Sequence, residues 1–201
     1  MELRLGFLSS HGGSLVKAIV NEVNEGYLDA EAKVIISNNQ ASKVLEFAHK
    51  NQIPNYCINS INSNNPYEIL LKKLKEHDVN LVLCAGYMKK VGELLIDNYK
   101  NRILNIHRAL LPRHGGEGMY GRAVHEAVIN SPDTETGATI HLVNSFYDSG
   151  RIIAQYKVPR YKTDTPETLE SRVLKLECMM YPQVLRDIQQ GLINLDEEFP
   201  S

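Results

Sequence analysis

VNLVLCA, the stretch from Val79 to Ala85, decides the fold. It is nearly all apolar, whereas a strand with one face in water would alternate apolar and polar residues. Such a run is typical of a strand that is buried on both faces of a parallel sheet. Helical periodicity begins before it at Pro66 and resumes after it between Val91 and Tyr99. A strand between two helices indicates right-handed βαβ connections, so the sequence predicts an α/β fold with a parallel sheet.

The same alternation of strands and helices continues on either side of this stretch in the first half of the chain. Further strands are predicted at Leu3–Ser9, Lys33–Ser37, Asn55–Ile58 and from Arg102, and further helices after Ser14 and after an N-cap at Ser42. The last third differs, because strands predicted at 138–143 and 151–158 are joined by a turn and followed by a long helix from Pro166. We therefore predict a single-domain, Rossmann-like α/β fold over residues 1–201. Its central sheet is mostly parallel and flanked by helices, with an antiparallel extension in the C-terminal third.

The composition excludes several classes of protein. The 201 residues are 43% hydrophobic and carry a formal net charge of -2, so the chain has no basic field for a nucleic-acid partner. No run approaches the roughly 20 apolar residues that cross a membrane, and the charged N-terminus lacks the features of a signal peptide. Three widely separated cysteines fit a reducing compartment. We predict a cytoplasmic protein without a membrane or nucleic-acid partner, and the spacing of its histidines predicts no metal site.

Three loops follow strands at the carboxyl edge of the predicted sheet, where ligands bind in open α/β sheets. They span residues 9–14, 86–90 and 105–118. The first reads SSHGGS and leads into a helix, whose N-terminal N–H groups and dipole favour a phosphate or carboxylate. The alternative is a tight turn with a serine N-cap. Because the loop matches neither the P-loop nor the G-x-G-x-x-G pattern, it indicates a single phosphate rather than a dinucleotide.

Asn105 and His107 lie on the same face of the strand that leads into the third loop, because side chains alternate along a strand. An amide and an imidazole side by side can stabilise a developing oxyanion, and Asp148 can orient His107 or take up a proton. Taken singly, each has a plainer interpretation: Asn105 caps a turn, His107 packs under a loop and Asp148 forms a turn. No Ser or Cys in these motifs is an obvious nucleophile, which favours direct attack of a substrate amine on a bound acyl donor.

A set of short motifs carries a resemblance to a known family. The motifs are AGYM at 85–88, NIH at 105–107 with LLP at 110–112, MYG at 119–121 with VHEA at 124–127, GATIH at 137–141, YDSG at 147–150, and RV at 172–173 with Glu177 and YP at 181–182. Through their order and spacing, the chain resembles the phosphoribosylglycinamide formyltransferase family over nearly its whole length. The set is highly specific for the formyltransferase superfamily and less specific for the glycinamide substrate.

The resemblance implies transfer of a formyl group from 10-formyltetrahydrofolate to the primary amine of glycinamide ribonucleotide, in purine biosynthesis. Asn105, His107 and Asp148 match the family's catalytic residues. Asn105 and His107 would hold the oxyanion. Asp148 would keep His107 protonated and help to move the proton from the attacking amine to the leaving folate nitrogen. The resemblance also implies small-molecule partners and either a monomer or a homodimer.

The resemblance assigns binding residues as well. Those that match the ribonucleotide site are Ser10, His11, Gly12, Gly13, Ser14 and Glu177. Those that match the folate pocket are Met88, Lys89, Lys90, Val91 and His141. Without the resemblance, His141 has the plainer interpretation of a half-buried residue in a strand.

Three positions depart from the family's pattern. The phosphate loop usually reads S-G-x-G-S-N, but here the glycines are shifted and Ser14 replaces the Asn. Arg108 stands where the family usually has Pro, and an Arg can meet an anionic ligand group. No Arg lies between Ser60 and Glu68, where relatives often carry one for the glutamate tail of folate. Two alternatives stay open: a formyltransferase for another amine, such as an amino-sugar nucleotide, and a non-catalytic protein that binds a phosphorylated metabolite.

Overall fold

The described residues, 2–197 of this computed structural model, build one mixed sheet of seven strands. The strands are β1 (Leu3–Leu8), β2 (Ala30–Ser37), β3 (Asn55–Cys57), β4 (Leu81–Cys84), β5 (Ile103–His107), β6 (Glu135–Leu142) and β7 (Ile152–Pro159). Their order in the sheet is β3-β2-β1-β4-β5-β6-β7. The first five are parallel to one another, whereas β6 runs antiparallel to β5 and β7 antiparallel to β6. The predicted fold class is confirmed, including its antiparallel extension.

Helices cover both faces of the sheet, because strand residues alternate between two apolar cores. The helices are α1 (Ser14–Asn24), α2 (Lys43–Lys50), α3 (Pro66–Glu76), α4 (Glu93–Asn98), α5 (Arg122–Ile129) and α6 (Pro166–Gln189). Along β4, Leu81 and Leu83 belong to a core shared with α1, α2 and α6, whereas Val82 and Cys84 belong to a core shared with α3 and α4. This strand is therefore buried on both sides, as its unbroken apolar run predicts.

Two local predictions differ from the structure. The sequence predicts no helix before β6, but α5 forms there, and its short buried face of Val124, His125 and Val128 packs near α6. Tertiary packing rather than a long periodic pattern supports so short a helix. Ser42 occupies the N-cap position of α2 as predicted, but its buried hydroxyl makes no capping hydrogen bond.

The ends of the predicted single domain, residues 1 and 198–201, lie outside the described residues. Between them, the sheet and its helices use residues from Leu3 to Gln189. Within residues 2–197, no helix is both long enough and apolar enough to cross a membrane.

Close packing of β6 against β7 leaves no room for a side chain at Gly137. A Cβ at this position would lie 1.9 Å from the carbonyl oxygen of Tyr156. Replacing Gly137 with Ala should therefore lower the free energy of unfolding by about 1–3 kcal/mol, measured by urea denaturation. Gly12→Ala is the matched control, since a Cβ at Gly12 meets nothing within 4 Å. Equal urea midpoints for the two variants would contradict this packing.

A crevice for ligands lies where the chain connections leave neighbouring strands in opposite directions. β1 and β4 are such neighbours, because β1 connects towards β2 on one side of the sheet and β4 connects towards β5 on the other. The loops after these two strands diverge at the carboxyl edge, and the loop after β5 lies beside them. This edge therefore brings together the three loops at which the sequence predicts ligand binding.

Candidate active site

A cavity of about 790 Å³ opens at the carboxyl edge of the parallel strands. Residues from the loops after β1, β4 and β5 line it, which confirms the predicted meeting of these loops. The connection between β6 and β7 adds Asn144 and Asp148, and α6 adds Glu170, Leu174 and Glu177. The cavity thus joins the parallel part of the sheet to its antiparallel extension.

Asn105 meets His141 because the antiparallel register of β5 and β6 places the two residues directly opposite each other. The Asn105 Nδ2 atom lies 3.1 Å from His141 Nε2. His141 Nδ1 lies 2.9 Å from the carbonyl oxygen of Leu142, which can only accept a hydrogen bond. Nδ1 therefore carries the proton in the neutral ring, and Nε2 accepts from the Asn105 amide. The second N–H of that amide stays available for a ligand.

His107 is anchored in the same manner. Its Nε2 atom lies 2.7 Å from the carbonyl oxygen of His114, so Nε2 carries a proton and donates it. The other nitrogen, Nδ1, lies 3.4 Å from Asp148 Oδ2. Burial lowers the pKa of His107 below its ordinary 6.5, although the Asp148 carboxylate opposes this shift. Burial therefore disfavours the charged ring in the ligand-free protein, whereas the Asp148 carboxylate that faces Nδ1 favours it.

Asp148 lies between the two histidines. Its Oδ1 atom is 3.4 Å from His141 Nε2, and its Oδ2 atom also accepts a hydrogen bond from the N–H of Gly116 at 3.0 Å. Burial raises the pKa of Asp148, but the contacts with His141, His107 and the Gly116 N–H outweigh burial and lower it below the ordinary value. Asp148 is therefore an anion at neutral pH, held between the side chains of His107 and His141.

The charge of Asp148 should be measurable in the titration of His107. In the ligand-free protein, His107 should titrate below pH 6.5, because burial disfavours the imidazolium. In Asp148→Asn the midpoint should fall further, because the carboxylate that favours the charged ring is gone. NMR of protein labelled with ¹⁵N in its histidine rings measures both midpoints. An unchanged midpoint in the variant would show that the two side chains are not in contact.

The loop after β1 presents backbone groups to the cavity. His11, Gly12, Gly13 and Ser14 line it, and Gly13 at the N-cap of α1 adopts a left-handed φ of 65° without capping the helix through a side chain. The first N–H groups of α1 have no acceptor within the helix, so they can bind an anion. A Cβ at Gly13 would lie 2.3 Å from Val44 Cγ2, so the close approach to α2 requires a glycine.

Ser10 takes a different place from the one predicted for a substrate-binding residue. It is buried and does not line the cavity. Its hydroxyl lies 2.5 Å from Asn38 Oδ1 and accepts a hydrogen bond from the N–H of Met88 at 2.8 Å. Its own N–H donates to the carbonyl of Gly86. Ser10 therefore ties the loops after β1 and β4 together, and Ser9 lines the cavity instead.

The segment matched to the folate pocket lies along the cavity. All four residues from Met88 to Val91 line it, together with His141. Tyr67 of α3 donates a hydrogen bond from its hydroxyl to the carbonyl of Lys90 at 3.2 Å, which fixes the path of the segment. The Lys90 ammonium lies 5.7 Å from the ring centroid of Tyr147, in the β6–β7 connection. This part of the wall combines apolar and aromatic surface with a positive charge.

Comparisons with known proteins bear on the family of this chain. A family model described as formyl transferase matches residues 3–185. The chain belongs to the formyl transferase family. It is 36% identical over 200 residues to the chloroplastic phosphoribosylglycinamide formyltransferase of Arabidopsis thaliana, covering 97% of this chain and 68% of that protein. It is 33% identical over 198 residues to the phosphoribosylglycinamide formyltransferase of Bacillus subtilis (strain 168), covering 97% and 98%.

Solved structures of formyl transferases share the fold as well. The crystal structure of phosphoribosylglycinamide formyltransferase from Bacillus halodurans superposes with a TM-score of 0.86 at 33% identity, covering 97% of this chain and 100% of that chain. The resemblance that the sequence motifs carry is therefore confirmed at the level of the family.

Several residues of this candidate site were not predicted from the sequence. His114 holds His107 through its main-chain carbonyl, and Gly116 holds Asp148 through its N–H. Residue type does not indicate such backbone contacts. Glu170 lies seven residues before Glu177 on α6, a spacing that places both on one face and could have linked them. Within residues 2–197, no group of three or more His, Cys, Asp or Glu side chains is placed to hold a metal ion.

Proposed function

We propose that this protein transfers the formyl group of 10-formyltetrahydrofolate to the primary amine of glycinamide ribonucleotide, a step of purine biosynthesis. The observation that carries the proposal is the placement of Asp148 between His107 and His141, next to Asn105, inside a cavity that also presents the N-terminus of α1. This arrangement supplies an oxyanion donor, a proton acceptor and an anion site within one enclosed space. A non-catalytic binding protein would need only the anion site.

The amine attacks the formyl carbon directly, and the carbonyl oxygen becomes an oxyanion. Asn105 donates its available amide N–H to this oxygen. The proton that the amine loses passes to Nδ1 of His107, which faces Asp148. The imidazolium formed in this step is stabilised by the Asp148 carboxylate. When the bond from the formyl carbon to the folate nitrogen breaks, the same proton moves to that nitrogen, so the site returns to its starting state.

A covalent acyl-enzyme is not needed for this transfer. Cys84 lines the cavity, but burial raises the pKa of its thiol to about 12, so the thiolate is not available at neutral pH. Nucleophilic catalysis by cysteine requires that thiolate. The ligand amine is thus the nucleophile in the proposed reaction.

Substrate binding follows the lining of the cavity. We assign the ribonucleotide phosphate to the loop of residues 11–14 and the folate to residues 88–91 with His141. Glu177 accepts hydrogen bonds from the hydroxyl or amine groups of the acceptor. We further propose that the chain works as a single domain, as a monomer or a homodimer, on small molecules in the cytoplasm.

The experiment is an assay of the purified protein with glycinamide ribonucleotide and 10-formyltetrahydrofolate, followed by the absorbance change of the folate. We expect turnover of the ribonucleotide. An amino-sugar nucleotide and other primary amines serve as parallel acceptors, because the phosphate loop departs from the family pattern. Absence of turnover with the ribonucleotide contradicts the proposal, and turnover with another acceptor alone assigns the chemistry to that amine.

A further inference from the structure

Arg108 leaves the end of β5 immediately after His107 and reaches two carboxylates of α6. Its Nη1 atom lies 2.8 Å from Glu170 Oε1, and its Nε atom lies 3.2 Å from Glu177 Oε1. All three side chains line the cavity. Since the guanidinium already meets two carboxylates, the cluster carries one net negative charge. It therefore does not offer the free cation that an anionic ligand group would need.

Glu177 is the unusual member of this cluster. Its side chain is 1% exposed, and Oε1 receives no aligned hydrogen bond within the described residues. Burial raises the pKa of Glu177, the Arg108 charge opposes this, and Glu170 raises the pKa further. A carboxylate in such a place is ionised only if a cation stays close, because an unpaired buried charge is strongly disfavoured.

Three other titratable groups near this cluster supply no positive charge at neutral pH. His125 of α5 is fully buried, and neither of its ring nitrogens has a hydrogen-bond partner within residues 2–197. Burial and the nearby Arg108 charge lower the pKa of His125 to about 4, so it is neutral at pH 7. On α6, burial raises the pKa of both Cys178 and Tyr181, so these groups are neutral too. Arg108 is thus the cation on which the charge of Glu177 depends.

We propose that Arg108 is a positioning residue for the acceptor: it holds Glu177 as an anion in the cavity wall, where that carboxylate accepts hydrogen bonds from the acceptor nucleotide. This inference rests on the proposed function for the identity of the nucleotide. It explains how an arginine can follow the catalytic His107 without creating a second anion site. It also places Arg108 on the acceptor side of the cavity, through its two contacts with α6.

The test is the pH dependence of ribonucleotide binding, measured by calorimetry without any formyl donor. Arg108→Met removes the charge and keeps an apolar stem, so Glu177 should ionise only at higher pH. We expect the acid limb of the affinity profile, the fall in affinity as Glu177 becomes protonated, to move up by about one pH unit or more, so that affinity at a pH below both midpoints falls about tenfold. Arg108→Lys keeps the positive charge and should return the limb towards that of the wild type.

Two further variants assign the limb to Glu177. Glu177→Gln should bind the ribonucleotide weakly, and its affinity should no longer fall at acid pH. Arg108→Met combined with Glu177→Gln should behave as Glu177→Gln alone. Arg102→Met is the matched control, because Arg102 has the same 28% side-chain exposure but pairs with Asp196, which lies outside the cavity lining. Its profile should match the wild type. The Michaelis constant for the formyl donor should change less than twofold in Arg108→Met.

The outcomes separate this inference from the proposed function. An unchanged limb in Arg108→Met, a limb that persists in Glu177→Gln, or no rescue by Arg108→Lys overturns the role of Arg108. Absence of ribonucleotide binding by the wild type overturns it as well. If the wild type binds the ribonucleotide and the variants differ from it as expected, but the wild type transfers no formyl group, the proposed function fails and the role of Arg108 stands. Circular dichroism and thermal unfolding show whether each variant is folded.

Discussion

Replacing Asp148 with Asn should lower kcat of the proposed formyl transfer by about 10²–10⁴-fold. The amide keeps the shape of the side chain and can still accept the N–H of Gly116, so the connection between β6 and β7 should hold its conformation. It cannot stabilise the imidazolium that forms when His107 takes the proton of the attacking amine. The loss should therefore appear in the chemical step rather than in binding.

Steady-state kinetics with both substrates at saturation measure this loss. Asp97→Asn is the control, since Asp97 is exposed on α4 and does not line the cavity. Its kcat should match that of the wild type. If Asp148→Asn retains kcat within tenfold of the wild type, the proton does not pass through the contact of His107 with Asp148.

Replacing Asn105 with Ala should lower kcat by about 10²–10³-fold, because it removes a preorganised donor to the oxyanion. The register of β5 and β6 holds the Asn105 amide against His141, so the donor is in place before the charge develops. The ground-state carbonyl gains less from this donor than the oxyanion does. The Michaelis constant for the ribonucleotide should therefore change little while kcat falls.

Asn98→Ala on α4 is a suitable control, since Asn98 is exposed and absent from the cavity lining. Its kinetic constants should equal those of the wild type. A Michaelis constant that rises for Asn105→Ala, with kcat unchanged, would show that Asn105 binds the ground state and does not stabilise the oxyanion.

The parts of the fold that depend on local periodicity could be predicted from the sequence. The apolar run around β4 gave the parallel sheet, and Pro66 marked the first turn of α3. Alternation along β5 placed Asn105 and His107 on one face, because this relation needs only neighbouring residues. The helix α5 was not predicted although it is as long as α2, because Gly121 precedes it where Ser42 precedes α2, so no serine marks its start.

The contacts that complete the candidate site could not be predicted, because they depend on pairing between distant segments. The contact of Asn105 with His141 follows from the register of β5 and β6, which no local pattern specifies. The direction of the Ser10 hydroxyl depends on Asn38, which follows another strand. Arg108 finds its partners on α6, far along the chain, so its charge alone suggested an anionic ligand.

The anchoring of the two imidazoles through main-chain carbonyls has a consequence for how this site tolerates sequence change. The side chains at positions 114 and 142 can vary without releasing either ring, because the acceptors are backbone oxygens. The sensitive position is instead Gly150, where the β6–β7 connection passes close to β6. A Cβ at Gly150 would lie 1.8 Å from the Leu142 oxygen, the acceptor that holds His141. Substitution of Gly150 should therefore inactivate the enzyme, although this residue has no side chain to take part in the chemistry.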